Sequence, residues 1–226
     1  MPRQQSPGLC ALCGEKASGA GMAAHLRRCA PAHDARKGAA VPLHHLHVQG
    51  THDPTFWLDL AVKSGSTLRQ LDQFLRGIWL ECCGHMSAFR IEGMTYSGVA
   101  DREFSDFVES RGMNARLADA LPPQGRKFRY EYDFGSTTDL TLRVTGTRQG
   151  VIGRPAIRLL ARNEAPVWPC ATCGAPATML CVFCPDESNP FVCAKHARKH
   201  PCGEDEGLLP VVNSPRMGVC GYAGGG

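Results

Sequence analysis

Apolar and polar positions change period repeatedly between residues 43 and 162, and each change predicts an element. Leu46-His47-Val48 and Phe56-Trp57-Leu58-Asp59-Leu60-Ala61-Val62 predict two strands joined through residues 50–54. Leu68, Leu71, Phe74, Leu75 and Ile78 then fall on one helical stripe, with Ser66 or Thr67 placed to cap it. Ala88-Phe89-Arg90-Ile91 and Met94-Thr95-Tyr96 predict a hairpin around Glu92-Gly93. Phe128, Tyr130 and Tyr132 alternate with Arg129 and Glu131, and Leu140, Leu142 and Val144 with Thr141 and Arg143, as half-buried strands do. Ile157-Arg158-Leu159-Leu160 would close the sheet. One or two helices among many strands predict an α+β domain with a largely antiparallel sheet.

Outside that middle the hydrophobic period fades and cysteine takes over. Residues 170–202 carry Cys170, Cys173, Cys181, Cys184, Cys193, His196, His200 and Cys202, spaced C-x2-C-x7-C-x2-C-x8-C-x2-H-x3-H-x-C. Structural zinc takes four Cys or His ligands at tetrahedral corners, and a C-x-x-C turn supplies two of them. Four close pairs therefore make two complete sites. Near the start, Cys10, Cys13, His25 and Cys29 read C-x2-C-x11-H-x3-C, with His25 and Cys29 one helical turn apart on a shared face. Nine of the twelve cysteines and three of the nine histidines are used, which is enough for three zinc ions. Cys82, Cys83 and Cys220 are left over.

Disulfides are the alternative use of so many cysteines, but the N-terminal Met1-Pro2-Arg3-Gln4-Gln5 begins no apolar signal core. C-x-x-C pairs interleaved with histidine read as metal sites in a reducing cytoplasm. Iron–sulfur ligation fits His-containing sets poorly. The formal charge of +4 is mild, 43% of residues are hydrophobic, and no stretch approaches the ~18 apolar residues of a membrane helix. The expected organisation is a Cys-Cys-His-Cys finger over 1–30, a linker over 31–42, the α+β domain over 43–162, and a binuclear zinc module with an extended tail over 163–226.

Some strings carry a resemblance. Thr67-Leu68-Arg69-Gln70-Leu71, Ile78-Trp79, His85 through Phe89, Tyr96 and above all Phe128-Arg129-Tyr130-Glu131-Tyr132-Asp133-Phe134-Gly135 resemble the plasmid Ri (pRiA-type) open-reading-frame-three-like family of bacteria over roughly residues 43–162. The resemblance implies a compact α+β fold and no established activity. Members usually follow Tyr-Asp-Phe-Gly with an acid, a Trp and a His. This chain reads Ser136-Thr137-Thr138-Asp139-Leu140 there, so an acid–base role built on that histidine would be lost. Tyr130, Tyr132 and Phe134 also have a plain reading as alternating sheet aromatics, with Asp133 and Gly135 ending the strand. His85 and Asp133 are the polar members of these strings that could do chemistry. The C-terminal pairs are similar to B-box and related cross-brace zinc modules, which are protein-interaction elements. That likeness implies that the first and third pairs share one zinc and the second and fourth the other, whereas spacing alone also allows the first four cysteines to share one.

The function expected is a non-catalytic, zinc-binding adaptor in a bacterial cytoplasm, with a protein partner. No P-loop, nucleophile elbow, H-E-x-x-H or dinucleotide fingerprint is present. The alternative is nucleic-acid binding, with Arg27, Arg28, Arg36 and Lys37 neutralising phosphates, joined by Arg69, Arg126, Lys127 and Arg129 if they lie together. A thiol enzyme using Cys82 or Cys83 beside His85 is the third reading, against which vicinal cysteines after an apolar helix are expected to be buried packing residues. The tail over 208–222 is too rich in Leu, Val and Met for disorder and is expected to pack in extended form.

Overall fold

A computed structural model describes residues 6–98, 110–184, 188–202 and 207–225. The chain divides into two compact units, Met1–Leu75 with His85–Glu164, and Arg76–Gly84 with Ala165–Gly226. The fold is mixed α+β, with few helices and a large, mostly antiparallel sheet.

In the first unit, β1 (Gly8–Cys10), β2 (Lys16–Ala17), α1 (Gly19–Ala32), β3 (Val41–Gly50), β4 (Trp57–Lys63) and α2 (Leu68–Leu75) follow in order. After the excursion of residues 76–84 come β5 (Ser87–Ile91), β6 (Met94–Ser97), β7 (Ser110–Gly112), α3 (Leu117–Ala120), β8 (Lys127–Tyr132), β9 (Thr138–Gly150) and β10 (Ile157–Asn163). The sheet order is β2-β1-β10-β4-β3-β9-β8-β5-β6-β7, antiparallel except where β6 meets β7. Central β4 is buried along Trp57–Val62, as a strand covered on both faces must be. Its Trp57 and Ala61 join Met22, Leu26, Cys29 and Ala30 of α1, together with Leu43 and Leu160, in one apolar cluster.

The predicted strands appear, several with longer ends, and the hairpin turns at Glu92 and Gly93, both left-handed at φ 49° and 84°. Thr67 caps α2 by a reciprocal pair. Its Oγ1 accepts from Gln70 N at 3.3 Å, while Gln70 Oε1 accepts from Thr67 N at 3.0 Å. Phe134 departs from expectation: it is 49% exposed, while Tyr130 and Tyr132 are fully buried. The alternation stops because β8 ends at Tyr132 and Asp133 takes a left-handed φ of 64°. Asp133 Oδ1 then accepts from the backbone N–H of Gly135 and Ser136, at 3.0 and 3.3 Å, to close the turn.

The N-terminal segment packs with the sheet. Residues 1–42 belong to the same unit as the sheet. β1 pairs with β10, and α1 buries Met22, Leu26, Cys29 and Ala30, a helical stripe that packs with Trp57, Ala61 and Leu160 of the sheet. Residues 33–40 are tied down as well. Asp34 receives two hydrogen bonds from Arg148 at 2.7 and 2.8 Å, and Ala35 N donates to Val151 O.

The second unit opens with a π-helical turn, Arg76–Leu80, closed by Glu81 N on Arg76 O at 2.8 Å. Its three-stranded sheet runs β12 (Phe191–Val192), β11 (Met179–Cys181), β13 (Leu208–Pro210), with α4 (Ala194–Ala197) after β12. The tail is extended only as β13. It then winds through turns, with Ser214 Oγ donating to Trp79 O at 2.6 Å and Tyr222 buried. Among the described residues, no helix is long and apolar enough to cross a membrane.

Candidate metal centres

The twelve expected ligands come together as three sets of four, with the ligand atoms of each set all within 4.8 Å of one another. In the first unit the set is Cys10, Cys13, His25 and Cys29. Cys10 ends β1 and starts a tight knuckle: its N–H donates to Glu15 O, and Gly14 N donates back to Cys10 O. Gly14 sits at φ 80°, which reverses the chain so that Cys13 faces Cys10. Helix α1 supplies the other two ligands, and burial of its neighbours Met22 and Leu26 orients that face. The Sγ atoms of Cys10 and Cys29 are 3.8 Å apart, and Cys13 Sγ is 3.3 Å from His25 Nε2.

The second unit holds two interleaved sets. Cys170 and Cys173 meet Cys193 and His196, while Cys181 and Cys184 meet His200 and Cys202. The first and third pairs are thus grouped, as are the second and fourth; the first four cysteines do not share one site. Cys173 and Cys193 Sγ lie 3.9 Å apart, and His196 Nδ1 is 3.5 Å from Cys170 Sγ and 3.4 Å from Cys193 Sγ. In the other set Cys184 Sγ is 3.9 Å from Cys202 Sγ and 3.2 Å from His200 Nε2. β11 and β12 pair antiparallel, which carries Cys181 and Cys193 to their places, and α4 turns the chain from Cys193 to His196.

These separations fit one geometry. Bond lengths of about 2.3 Å to sulfur and 2.0–2.1 Å to nitrogen, at tetrahedral angles, give edges of about 3.8 Å for S···S and about 3.5 Å for S···N. Every set contains an S···S edge of 3.8 or 3.9 Å and an S···N edge between 3.2 and 3.5 Å. The clusters could hold metal ions, and their donor type suits zinc.

The thiols are not electrostatically alike. Burial pushes Cys29 up to about 12 and Cys184 up to about 11, so a bound cation would be needed to ionise them at neutral pH. Cys170 goes the other way, to about 5, chiefly because the backbone N–H of Cys193 donates to it. Cys13 is also lowered, by a backbone N–H at Glu15.

Of the basic residues proposed for phosphate, Arg27, Arg28, Arg36 and Lys37 are all exposed, as are Arg69, Arg126, Lys127 and Arg129. Arg69 is engaged with Asn114 Oδ1 at 3.1 Å. His85 Nε2 stands 3.6 Å from Asp133 Oδ2 and edge-on to Tyr132, a local pairing in the first unit. The expectation that Cys82 and Cys83 are buried packing residues is corrected: Cys82 is half-buried and Cys83 exposed. The pair follows the π-helical turn, which ends the apolar stripe before it reaches them. Cys220, left without a partner by sequence reading, has its Sγ 3.5 Å from that of Cys83.

Sequence reading also missed a groove of about 580 Å³ in the first unit, lined among others by Arg27, His45, His47, Asp59, Arg143 and Arg148. His47 Nδ1 is 2.9 Å from Asp59 Oδ1, and its ring stacks on Trp57 with centroids 6.0 Å apart. The signal available was the His-x-His on β3 opposite an acid on β4, two strands whose register pairs His47 with Asp59.

The family model described as plasmid pRiA4b ORF-3-like protein matches residues 44–176, which takes in the sheet from β3 onward and the first C-terminal knuckle. No curated protein matches the chain. Among solved structures, a protein of unknown function from Methanosarcina mazei Go1 aligns with a TM-score of 0.45 and 15% identity, covering 55% of this chain and 68% of that one.

Proposed function

This chain belongs to the plasmid pRiA4b ORF-3-like family, and from that premise we propose that it is a non-catalytic zinc protein serving as an interaction module in the bacterial cytoplasm. The observation that carries the reading is the completeness of the three ligand sets. Four protein ligands leave a zinc ion no open position for water or substrate, so such sites stabilise and shape the backbone. Three zinc ions would be held, one by Cys10, Cys13, His25 and Cys29, one by Cys170, Cys173, Cys193 and His196, and one by Cys181, Cys184, His200 and Cys202. The second unit also presents apolar side chains that its described residues leave partly exposed. Val182 and Phe183, at the tip of the Cys181–Cys184 knuckle, are 41% and 60% exposed. An exposed aromatic on a rigid, metal-held turn is suited to bury itself in a protein partner.

A second reading, nucleic-acid contact, is favoured by the exposure of Arg27, Arg28, Arg36 and Lys37 on and just after α1. Affinity purification of the intact chain, with mass spectrometry of the co-purifying protein and RNA, separates the two. A protein that survives nuclease treatment and is lost on Phe183→Asp supports the first reading. Capture that nuclease abolishes and Arg27→Ala/Arg28→Ala weakens, with a flatter salt dependence, overturns it in favour of the second.

A further inference from the structure

The three cysteines outside the expected ligand sets also converge. Cys82 and Cys83 follow the π-helical turn, Cys220 lies in the last turns of the tail, and all three belong to the second unit. Their Sγ atoms lie within 4.8 Å of one another, with Cys83 3.4 Å from Cys82 and 3.5 Å from Cys220. Those separations approach the S···S edge of a zinc tetrahedron and are far from the roughly 2.05 Å of a disulfide. We propose that Cys82, Cys83 and Cys220 bind a fourth zinc ion.

The surroundings are built for that role. Cys220 takes a left-handed φ of 51°, a conformation that a non-glycine residue adopts at a cost and that here turns its thiol toward Cys83. Arg216 has no exposed surface, and its Nη2 donates to Cys82 Sγ at 3.4 Å. Three thiolates around a divalent ion carry a net charge of −1, which Arg216 would offset. The loop is braced from both sides. Glu81 pairs with Arg76 and accepts from Gly84 N at 2.7 Å. Ser214 Oγ donates to Trp79 O and accepts from Arg216 N, which anchors the tail before Cys220.

Binding would release one proton from each of the three thiols to solvent. It would join Cys83 to Cys220 across 137 residues of chain, holding the tail in place. This site stands apart from the other three, since it shares no ligand with them.

Two measurements on the full chain, prepared with zinc and reductant, test the proposal. Metal content should fall by one zinc per chain in Cys83→Ser/Cys220→Ser relative to the unaltered protein, whatever the total. Peptide-mapped alkylation needs no variant, so it stands even if the variant misfolds. Cys83 and Cys220 should resist iodoacetamide while zinc is bound and react once a chelator is added without further reductant. An unchanged metal content in a folded variant overturns the proposal. So does alkylation of both cysteines at the free-thiol rate in the presence of zinc, or protection that only reductant reverses, which would identify a disulfide.

Discussion

Gly14 and Gly174 occupy the same position in two knuckles 160 residues apart, at φ 80° and 72°. Each follows a Cys-Ala-x-Cys, and each donates its N–H to the first cysteine's carbonyl at 2.9 Å. The glycine is needed for its backbone, since a Cβ at either position would meet nothing within 4 Å. Gly14→Ala and Gly174→Ala should therefore cost about 1–2 kcal/mol through left-handed strain alone. Zinc affinity at the affected site should drop about five- to thirty-fold in a chelator competition, while the other sites keep theirs. An unchanged affinity would mean that the left-handed turn is not coupled to the metal.

Asp72 on α2 is 6% exposed, and its Oδ1 accepts from Tyr130 Oη at 2.7 Å and Ser87 Oγ at 2.6 Å. Removing one donor from a buried carboxylate strands part of its hydrogen-bonding capacity. Tyr130→Phe keeps the ring packed against Phe89, whose centroid is 4.7 Å away, so the loss isolates the hydroxyl. Denaturant unfolding should show a destabilisation of about 1.5–3 kcal/mol, the range for hydrogen bonds to charged groups.

That pair also shows how far sequence reading reached. Tyr130 was legible as a buried strand position from the alternation of Phe128, Tyr130 and Tyr132, whereas Asp72 lies outside the apolar stripe of Leu68, Leu71, Phe74, Leu75 and Ile78 and carried no such signal. Alternation reports which face is buried and says nothing of a distant acid that satisfies a hydroxyl there. The ligand sets were legible for a related reason. Short loops force the members of each pair together, and four pairs can close two sites in few ways. The convergence of Cys83 with Cys220 spans 137 residues and leaves no local period to read. Burial of α1 on the sheet was likewise hidden, because Met22 and Leu26 fit a free finger's small core as well as they fit Trp57 and Leu160.

Asp34 and Arg148 supply a pH-dependent term. The guanidinium beside Asp34 holds its carboxyl below the usual 3.8, with the Val151 N–H adding to the effect. A carboxyl depressed in the folded state takes its proton first in the unfolded chain. Its stabilisation is therefore complete above the ordinary carboxylate range and is lost as pH falls through the folded value. Both side chains are about one-fifth exposed, so screening reduces the contribution to the order of 1 kcal/mol. Asp34→Asn should destabilise the protein by that amount at pH 6, and the two proteins should converge in stability once the pH falls below the depressed folded-state value of Asp34. A gap that persisted into acid would assign the effect to packing rather than charge.

Removing zinc should affect the two units unequally. The second unit has few buried apolar side chains and short strands, with backbone bonds such as Cys181 N to Pro190 O and Val182 N to Gly207 O lying beside the ligands. Structural zinc contributes roughly 10–16 kcal/mol of apparent binding energy in small modules, more than such a core can replace. The first unit keeps its long pairings β3–β9 and β8–β9 and the cluster around Trp57 without any metal. α1 falls between these cases, because Met22 and Leu26 pack on that cluster while His25 and Cys29 lose their ion. Hydrogen exchange after chelation should show protection lost throughout β11–β13, reduced at Cys10 and along α1, and unchanged for Leu46, Leu142 and Tyr130. Full protection of β11 after metal analysis confirmed removal would show that the second unit folds on its apolar contacts alone. Loss of protection across β3 and β9 would show that the sheet, too, depends on zinc.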